Sequence, residues 1–169
     1  MRWTVTTSSI PDKGLDFCKR WLNKFNYDSL SQIRVSKGKS GYGVYGWCEY
    51  NDEKSRPYSI QLFVPGPFPF TVTTKQPSIR LKLYGLNDAI PDNQTIASRN
   101  VCSEDETVTV KLETKIVLNN FSEGLIFLFG HELYHYLSSD DHITADDTEN
   151  NADDYGRFLL SKFKSKTLV

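Results

Sequence analysis

Cysteine, methionine and histidine are scarce in this chain of 169 residues, which has three, one and three of them. Cys18, Cys48 and Cys102 are widely spaced and form no C-x-x-C pair, so neither a disulfide framework nor a zinc ribbon is indicated. No apolar run is long enough to span a bilayer, and the first residues lack the apolar core of a secretory signal. These absences predict a cytoplasmic protein without a membrane segment.

Basic residues are missing from one long segment. Between Ile116 and Gly156 there is no lysine or arginine, although nine acidic residues occur there. The whole chain has a net charge of −1, so the remainder is basic. An acidic field of this kind attracts cations and favours basic substrate segments, although a solvated acidic loop explains the same composition. Nothing in the composition indicates a nucleic-acid partner.

The length and the hydrophobic fraction of 38% suit a globular chain that builds its core without disulfide bonds. A single domain over residues 1–169 is therefore predicted. Helical spacing of apolar residues predicts an N-terminal helix from about Ser9 to Phe25. Alternating patterns predict strands at 32–36, 42–50, 58–64, 79–84 and 107–118, the first two as a hairpin. Residues 87–106 are polar and rich in turn formers, and are predicted to be the least structured.

His131, Glu132 and His135 form an H-E-x-x-H motif at the end of an apolar segment, Phe121 to Leu137, whose pattern predicts a helix. Positions i and i+4 share one helix face, so both imidazoles can hold one metal ion. Glu132 stands next to the first histidine, where it can polarise water without being a ligand. Two neutral nitrogen ligands, a carboxylate base and an open coordination position are what zinc-dependent peptide hydrolysis requires.

A third zinc ligand must come from beyond this helix. A second helical pattern begins after Thr148, a plausible N-cap, and carries Glu149 and Asp153 four residues apart on one face. Glu149 is the candidate third ligand. Asp153 is the candidate to accept a hydrogen bond from the other ring nitrogen of a ligand histidine, which fixes the tautomer of that ring. Carboxylates also favour a first helical turn without any metal.

H-E-x-x-H followed by E-x-x-x-D resembles the gluzincin branch of the zincin metallopeptidases. The finer form Glu149-x-x-Ala152-Asp153 is similar to that of small intracellular ImmA/IrrE-type peptidases, and the resemblance covers residues 121–163. It implies one zinc ion per chain, a protein or peptide substrate, and a set of residue roles: His131, His135 and Glu149 as zinc ligands, Glu132 as general base and acid, and Asp153 as the carboxylate behind a ligand histidine.

The resemblance also implies a zincin-like fold. Such a fold has an N-terminal helix, a twisted mixed or antiparallel sheet over the active-site helix, and a C-terminal ligand helix. Strands that precede two helices independently favour the α+β class. In zincins an edge strand aligns an extended peptide by backbone pairing. Tyr58 to Val64 and Thr107 to Leu112 are the candidates for this strand.

Two alternatives to Glu149 stay open. The metzincin pattern H-E-x-x-H-x-x-G-x-x-H has Ser138 at its glycine position and Asp141 at its ligand position. Without the glycine, the chain lacks the bend that places the third ligand near the two histidines. The methionine turn of metzincins also has no counterpart, because Met1 is the only methionine. His142, one residue out of register, could bind through a looser loop.

The oxyanion of the tetrahedral intermediate needs a donor besides the metal. Tyr134 and Tyr136 point off the ligand face of a regular helix, which favours Tyr155 or His142, and Tyr155 is the candidate. Two other hypotheses compete with the enzyme: a non-catalytic zincin-fold module that binds metal for recognition, and a scaffold whose histidines are core residues. Glu132 favours the enzyme, since a purely structural zinc site does not require it.

Overall fold

The computed structural model describes residues 2–5, 13–25, 29–38, 45–49, 58–75, 79–82, 94–102, 107–140 and 142–167. Within these residues there are three helices and eight strands, and the strands form two sheets. The predicted α+β class is confirmed. Two compact units are present, one made of Met1–Phe70 with Leu118–Val169 and the other of Thr71–Val117. A single domain over the whole chain stays a prediction.

The helices are α1 (Lys13–Leu22), α2 (Phe121–Ser139) and α3 (Glu149–Thr167). The strands are β1 (Arg2–Val5), β2 (Leu30–Lys37), β3 (Gly46–Glu49), β4 (Tyr58–Val64), β5 (Phe70–Lys75), β6 (Ile79–Lys82), β7 (Gln94–Cys102) and β8 (Thr107–Leu118). The predicted start of the first helix near Ser9 lies outside the described residues. The sequence pattern does not predict β1 or β5.

The sheet of the first unit has the strand order β1-β2-β4-β3. β1, β2 and β4 are parallel, whereas β3 runs antiparallel to β4 at the edge. The predicted hairpin of β2 with β3 is therefore wrong, because β4 lies between them. Ile60, Leu62 and Val64 of β4 are buried on one face of the sheet, and β4 is hydrogen-bonded to β2 on one side and to β3 on the other. Of the two candidate edge strands, Tyr58 to Val64 is thus excluded.

The second unit is described by its sheet alone. β8 pairs with β5, β6 and β7, so the candidate edge segment Thr107 to Leu112 is also internal. Val108, Val110 and Leu112 alternate as buried residues along β8, as the pattern predicts. The prediction that residues 87–106 are the least structured is wrong for β7, and the rest of that segment lies outside the described residues. The side chains of β7 are almost all exposed, and its apolar residues do not alternate regularly, so a pattern based on hydrophobicity does not indicate the strand, which forms by pairing with β8.

Helix α2 is the core element of the first unit. Asn120 caps it by accepting a hydrogen bond from the backbone N–H of Glu123 at 3.0 Å. Its middle, Leu125 to Phe129, is buried on every face, since α1, α3, β3 and β4 all contact the helix. Each such side chain contributes about 1.5–3 kcal/mol by leaving water. None of the described helices combines the length and apolar character needed to cross a membrane.

Candidate metal centre

The last turns of α2 carry His131 and His135 on one face. Their Nε2 atoms are 3.3 Å apart, and their ring centroids are 4.9 Å apart. Both side chains are largely buried, with 16% and 15% of their surface exposed. The i, i+4 spacing produces this pairing directly, because side chains four residues apart lie above one another on a helix. The two nitrogens therefore point at one location.

Glu149, the first residue of α3, brings its carboxylate to the same location. Its Oε2 lies 3.3 Å from Nε2 of His131, and its Oε1 lies 3.6 Å from Nε2 of His135. One ligand atom from each of the three residues lies within 4.8 Å of the others, close enough for one metal ion. Among the residues that the structure describes, this is the one such group of histidine, cysteine and acidic side chains.

A close crossing of α2 and α3 makes this approach possible. A Cβ atom at Gly130 would lie 2.8 Å from Cα of Gly156, and a Cβ atom at Gly156 would lie 2.7 Å from the carbonyl oxygen of Phe127. Both obstacles are backbone atoms, so any side chain there would push the helices apart. On α2 the crossing is at Gly130, the residue before His131. The two glycines thus allow the carboxylates of α3 to reach the histidines of α2.

The Nδ1 atom of each histidine contacts a carboxylate. Oδ1 of Asp153 lies 2.9 Å from Nδ1 of His131, in the place that the sequence predicts for it. Oδ1 of Asp147 lies 2.6 Å from Nδ1 of His135. In both pairs Nδ1 donates to the carboxylate, which leaves the lone pair of Nε2 directed at the common location. Sequence reasoning missed Asp147, because its position depends on the path of the connection between α2 and α3.

Removal of either carboxylate is expected to weaken metal binding, for which zinc is the probe. Asp147→Ala and Asp153→Ala should each raise the Kd for zinc about 10- to 100-fold, because a histidine without its partner loses both its fixed tautomer and its orientation. A competition titration with a chromophoric chelator measures this. Asp154→Ala is the matched control, since Asp154 is exposed and pairs with Arg157. Equal affinities in all three variants would contradict the role of Asp147 and Asp153.

Glu132 lies on the same helix turn, but its carboxyl is buried. Only 6% of the residue is exposed, and it packs against Gly46 of β3. Burial raises the pKa of Glu132 to about 7; the charge of Glu149 acts in the same direction, and His131 and His135 oppose it. For His131, burial lowers the pKa, but the hydrogen bond to Asp153 and the surrounding carboxylates outweigh it and raise the pKa above its ordinary value.

The buried carboxyl of Glu132 should make the stability of chelator-treated protein depend on pH. The folded protein holds this proton up to pH about 7, whereas an unfolded chain releases it near the ordinary value of 4.5. The stabilisation is therefore complete below pH 4.5 and is lost as the pH rises to about 7. Relative to Glu132→Gln, the free energy of unfolding in urea should fall by on the order of 3 kcal/mol across this range. Parallel pH profiles would contradict the buried state of Glu132.

His142, one alternative third ligand, lies elsewhere. Its Nε2 is 3.0 Å from Oδ2 of Asp140 and 3.4 Å from the hydroxyl of Tyr136. The backbone N–H of His142 donates to the carbonyl of Leu137 at 2.9 Å, so the chain folds back on the end of α2 immediately after the helix. The structure thus places His142 in a second polar cluster and not with His131 and His135. Asp141, the other alternative, lies outside the described residues.

Tyr155, the candidate oxyanion donor, has its contacts with α1 and with other aromatic rings. Its hydroxyl accepts a hydrogen bond from Nε1 of Trp21 at 3.2 Å, and its ring lies 6.0 Å from those of Tyr134 and Phe158. Tyr155 follows Glu149 by six positions, which is about 240° around a helix and therefore a different face. The structure does not bring it to the three-residue group, and its catalytic role stays a prediction that this placement does not favour.

Cys48 of β3 is close enough to Glu132 and Asp147 to feel their charges. Burial, followed by the charges of Glu132, Asp147 and Glu49, raises the pKa of the Cys48 thiol to about 12. Metal ions bind the thiolate and not the thiol. Cys48 is not among the residues whose ligand atoms lie close enough together to share one ion, which are His131, His135 and Glu149.

Comparisons with protein-family models, with curated proteins and with solved structures find no match for this chain. Its function is therefore inferred from the chemistry of the metal centre.

Proposed function

We propose that this protein is a zinc-dependent metallopeptidase in which Glu132 acts as the general base. One observation carries the proposal. Two imidazoles and a carboxylate lie close enough together to share one metal ion, and a buried glutamate that is not part of this group lies beside them. A site that only binds metal does not need such a glutamate. A hydrolytic site does, since water must lose a proton as it attacks.

The donor set fits zinc. Two histidine nitrogens and one carboxylate form a frequent protein ligand set of catalytic zinc, which keeps a fourth position for water or substrate. Glu149 is 81% exposed, so the group opens towards solvent on the side of α3. The carboxylates behind both histidines supply the outer partners that zinc-binding histidines almost always have.

The arrangement of the first unit supports the resemblance to zincins. Its sheet has three parallel strands and an antiparallel edge strand, β3, and β3 and β4 contact the helix that carries the histidines. Of the described strands, β4 alone pairs with β3. The other edge of β3 is therefore the place where an extended peptide would add by backbone hydrogen bonds, next to Glu132.

Glu132 performs the proton transfers in this proposal. A zinc ion held by His131, His135 and Glu149 would supply Lewis-acid polarisation of the scissile carbonyl and would lower the pKa of water. Glu132 accepts a proton from the water as the water oxygen bonds to the carbonyl carbon, and it returns that proton to the leaving amine nitrogen as the peptide C–N bond breaks. Without a metal ion, burial raises the pKa of Glu132 to about 7. The charge of a bound Zn²⁺ would lower this pKa and so favour the carboxylate form that accepts the proton.

Incubation of the zinc-loaded protein with a library of peptides, read by mass spectrometry, tests this proposal. Internal cleavage that stops with a chelator and returns with zinc supports it. The sequences cleaved also show whether basic side chains are preferred, as the acidic segment from Ile116 to Gly156 predicts. A protein that binds zinc but cleaves no peptide or protein would favour the alternative, a non-catalytic metal-binding module.

A further inference from the structure

Gly46, the first residue of β3, faces the metal centre. It pairs with Leu62 of β4, and Cys48 pairs with Ile60. Leu62 and Ile60 are buried, so their neighbours Gly46 and Cys48 lie on the α2 side of the sheet, since side chains alternate along a strand. The residue between them points the other way: the ring of Trp47 lies 5.1 Å from that of Phe63.

The side chain of Glu132 occupies the space that a side chain at position 46 would need. A Cβ atom built on Gly46 would lie 2.6 Å from Oε1, 2.9 Å from Cγ and 3.0 Å from Cδ of Glu132. These are its three nearest neighbours, and all belong to one flexible side chain. The strand could therefore take a larger residue, but only if the Glu132 carboxyl moved.

We propose that Gly46 is a positioning residue for Glu132: its lack of a side chain holds open the space in which the carboxyl lies beside the metal centre. This inference rests on the proposed function, because it concerns the base of the same reaction. Two locally unfavourable features meet at this contact. A glycine weakens a strand, and a buried carboxylate loses its hydration, and here the glycine leaves the space that the carboxylate occupies. Such paired exceptions to local rules are typical of functional sites.

Gly46→Ala is the test, with Gly66→Ala as its matched control, since a Cβ atom at Gly66 would meet nothing within 4 Å. Gly46→Ala should keep one zinc ion per chain, because no ligand is touched. Its kcat should fall by about 100-fold, because displacement of a catalytic base by about 1 Å lowers the rate by about that factor. Its KM should change by less than about threefold. Gly66→Ala should match the wild type. An unchanged kcat in Gly46→Ala would overturn the inference.

A second measurement tests the contact without any activity. Gly46→Ala should lower Tm by about 2–4 °C when Glu132 is present. In a Glu132→Ala background it should leave Tm unchanged or raise it, because the obstructing side chain is gone. Equal losses in both backgrounds would overturn the inference. If the wild type cleaves no peptide, the proposed function fails, and this cycle still decides whether Gly46 holds the space for Glu132.

Discussion

Glu132→Gln should lower kcat for peptide hydrolysis by about 100- to 10,000-fold while the protein keeps its zinc. Glutamine has nearly the same shape as glutamate, so the packing against Gly46 is preserved. It cannot accept the proton of the attacking water, and general base catalysis of this kind contributes about that factor. Steady-state kinetics on a cleaved library peptide, with zinc content measured on the same sample, checks the prediction.

The matched control for this variant is Glu123→Gln. Glu123 is also a buried glutamate of α2, but it lies at the start of the helix, where it accepts a hydrogen bond from the backbone N–H of Asn119 and pairs with Lys164. Glu123→Gln should lower the free energy of unfolding. The kcat of the folded variant should stay within a factor of about two of the wild type, as expected of a group remote from the reaction. Equal losses of kcat in both variants would contradict the role of Glu132.

The second large effect concerns the metal itself. His135→Ala should abolish stoichiometric zinc binding, because one of two nitrogen ligands is removed and Glu149 cannot replace it. His142→Ala should keep one zinc ion per chain, since His142 lies with Asp140 and Tyr136. The two variants remove the same side chain from neighbouring parts of the chain. Elemental analysis after gel filtration separates them, and zinc loss in His142→Ala would contradict the proposed ligand set.

Glu149→Ala extends the same comparison to the third ligand. Glu149 approaches both Nε2 atoms, so its removal should leave a two-nitrogen site that loses zinc during gel filtration. Glu149 is exposed, so the fold should be kept. Full zinc content in Glu149→Ala would mean that another acidic residue of the connection, such as Asp141, completes the site.

Much of the candidate metal centre could be predicted from the sequence because helix geometry fixes it. The pair His131 and His135 follows from a spacing of four residues on an apolar helix, and Glu149 and Asp153 follow from the same spacing on the next helix. The crossing that joins the two helices could not be predicted, since it depends on Gly130 and Gly156 meeting across 26 positions of sequence. The sequence does not indicate which other residue a glycine will contact in the folded protein.

The sheet was harder to predict for the same reason. Alternation along β4 and β8 indicates strands, but it does not say which strand lies next to which. β2 and β3 are close in sequence, and a turn-forming stretch separates them, so a local rule predicts a hairpin. In the structure β4, which follows both in sequence, lies between them and pairs with each. The contact of Gly46 with Glu132 depends on this arrangement and is therefore absent from any local pattern.

Zinc titration of chelator-treated protein tests the central claim most directly, when bound zinc and peptide cleavage are measured on each sample. Cleavage should rise in proportion to bound zinc and reach its maximum at about one ion per chain, the capacity of a single three-ligand site. No zinc bound by the wild type, or cleavage that does not depend on the zinc bound, would contradict a zinc peptidase built on His131, His135 and Glu149.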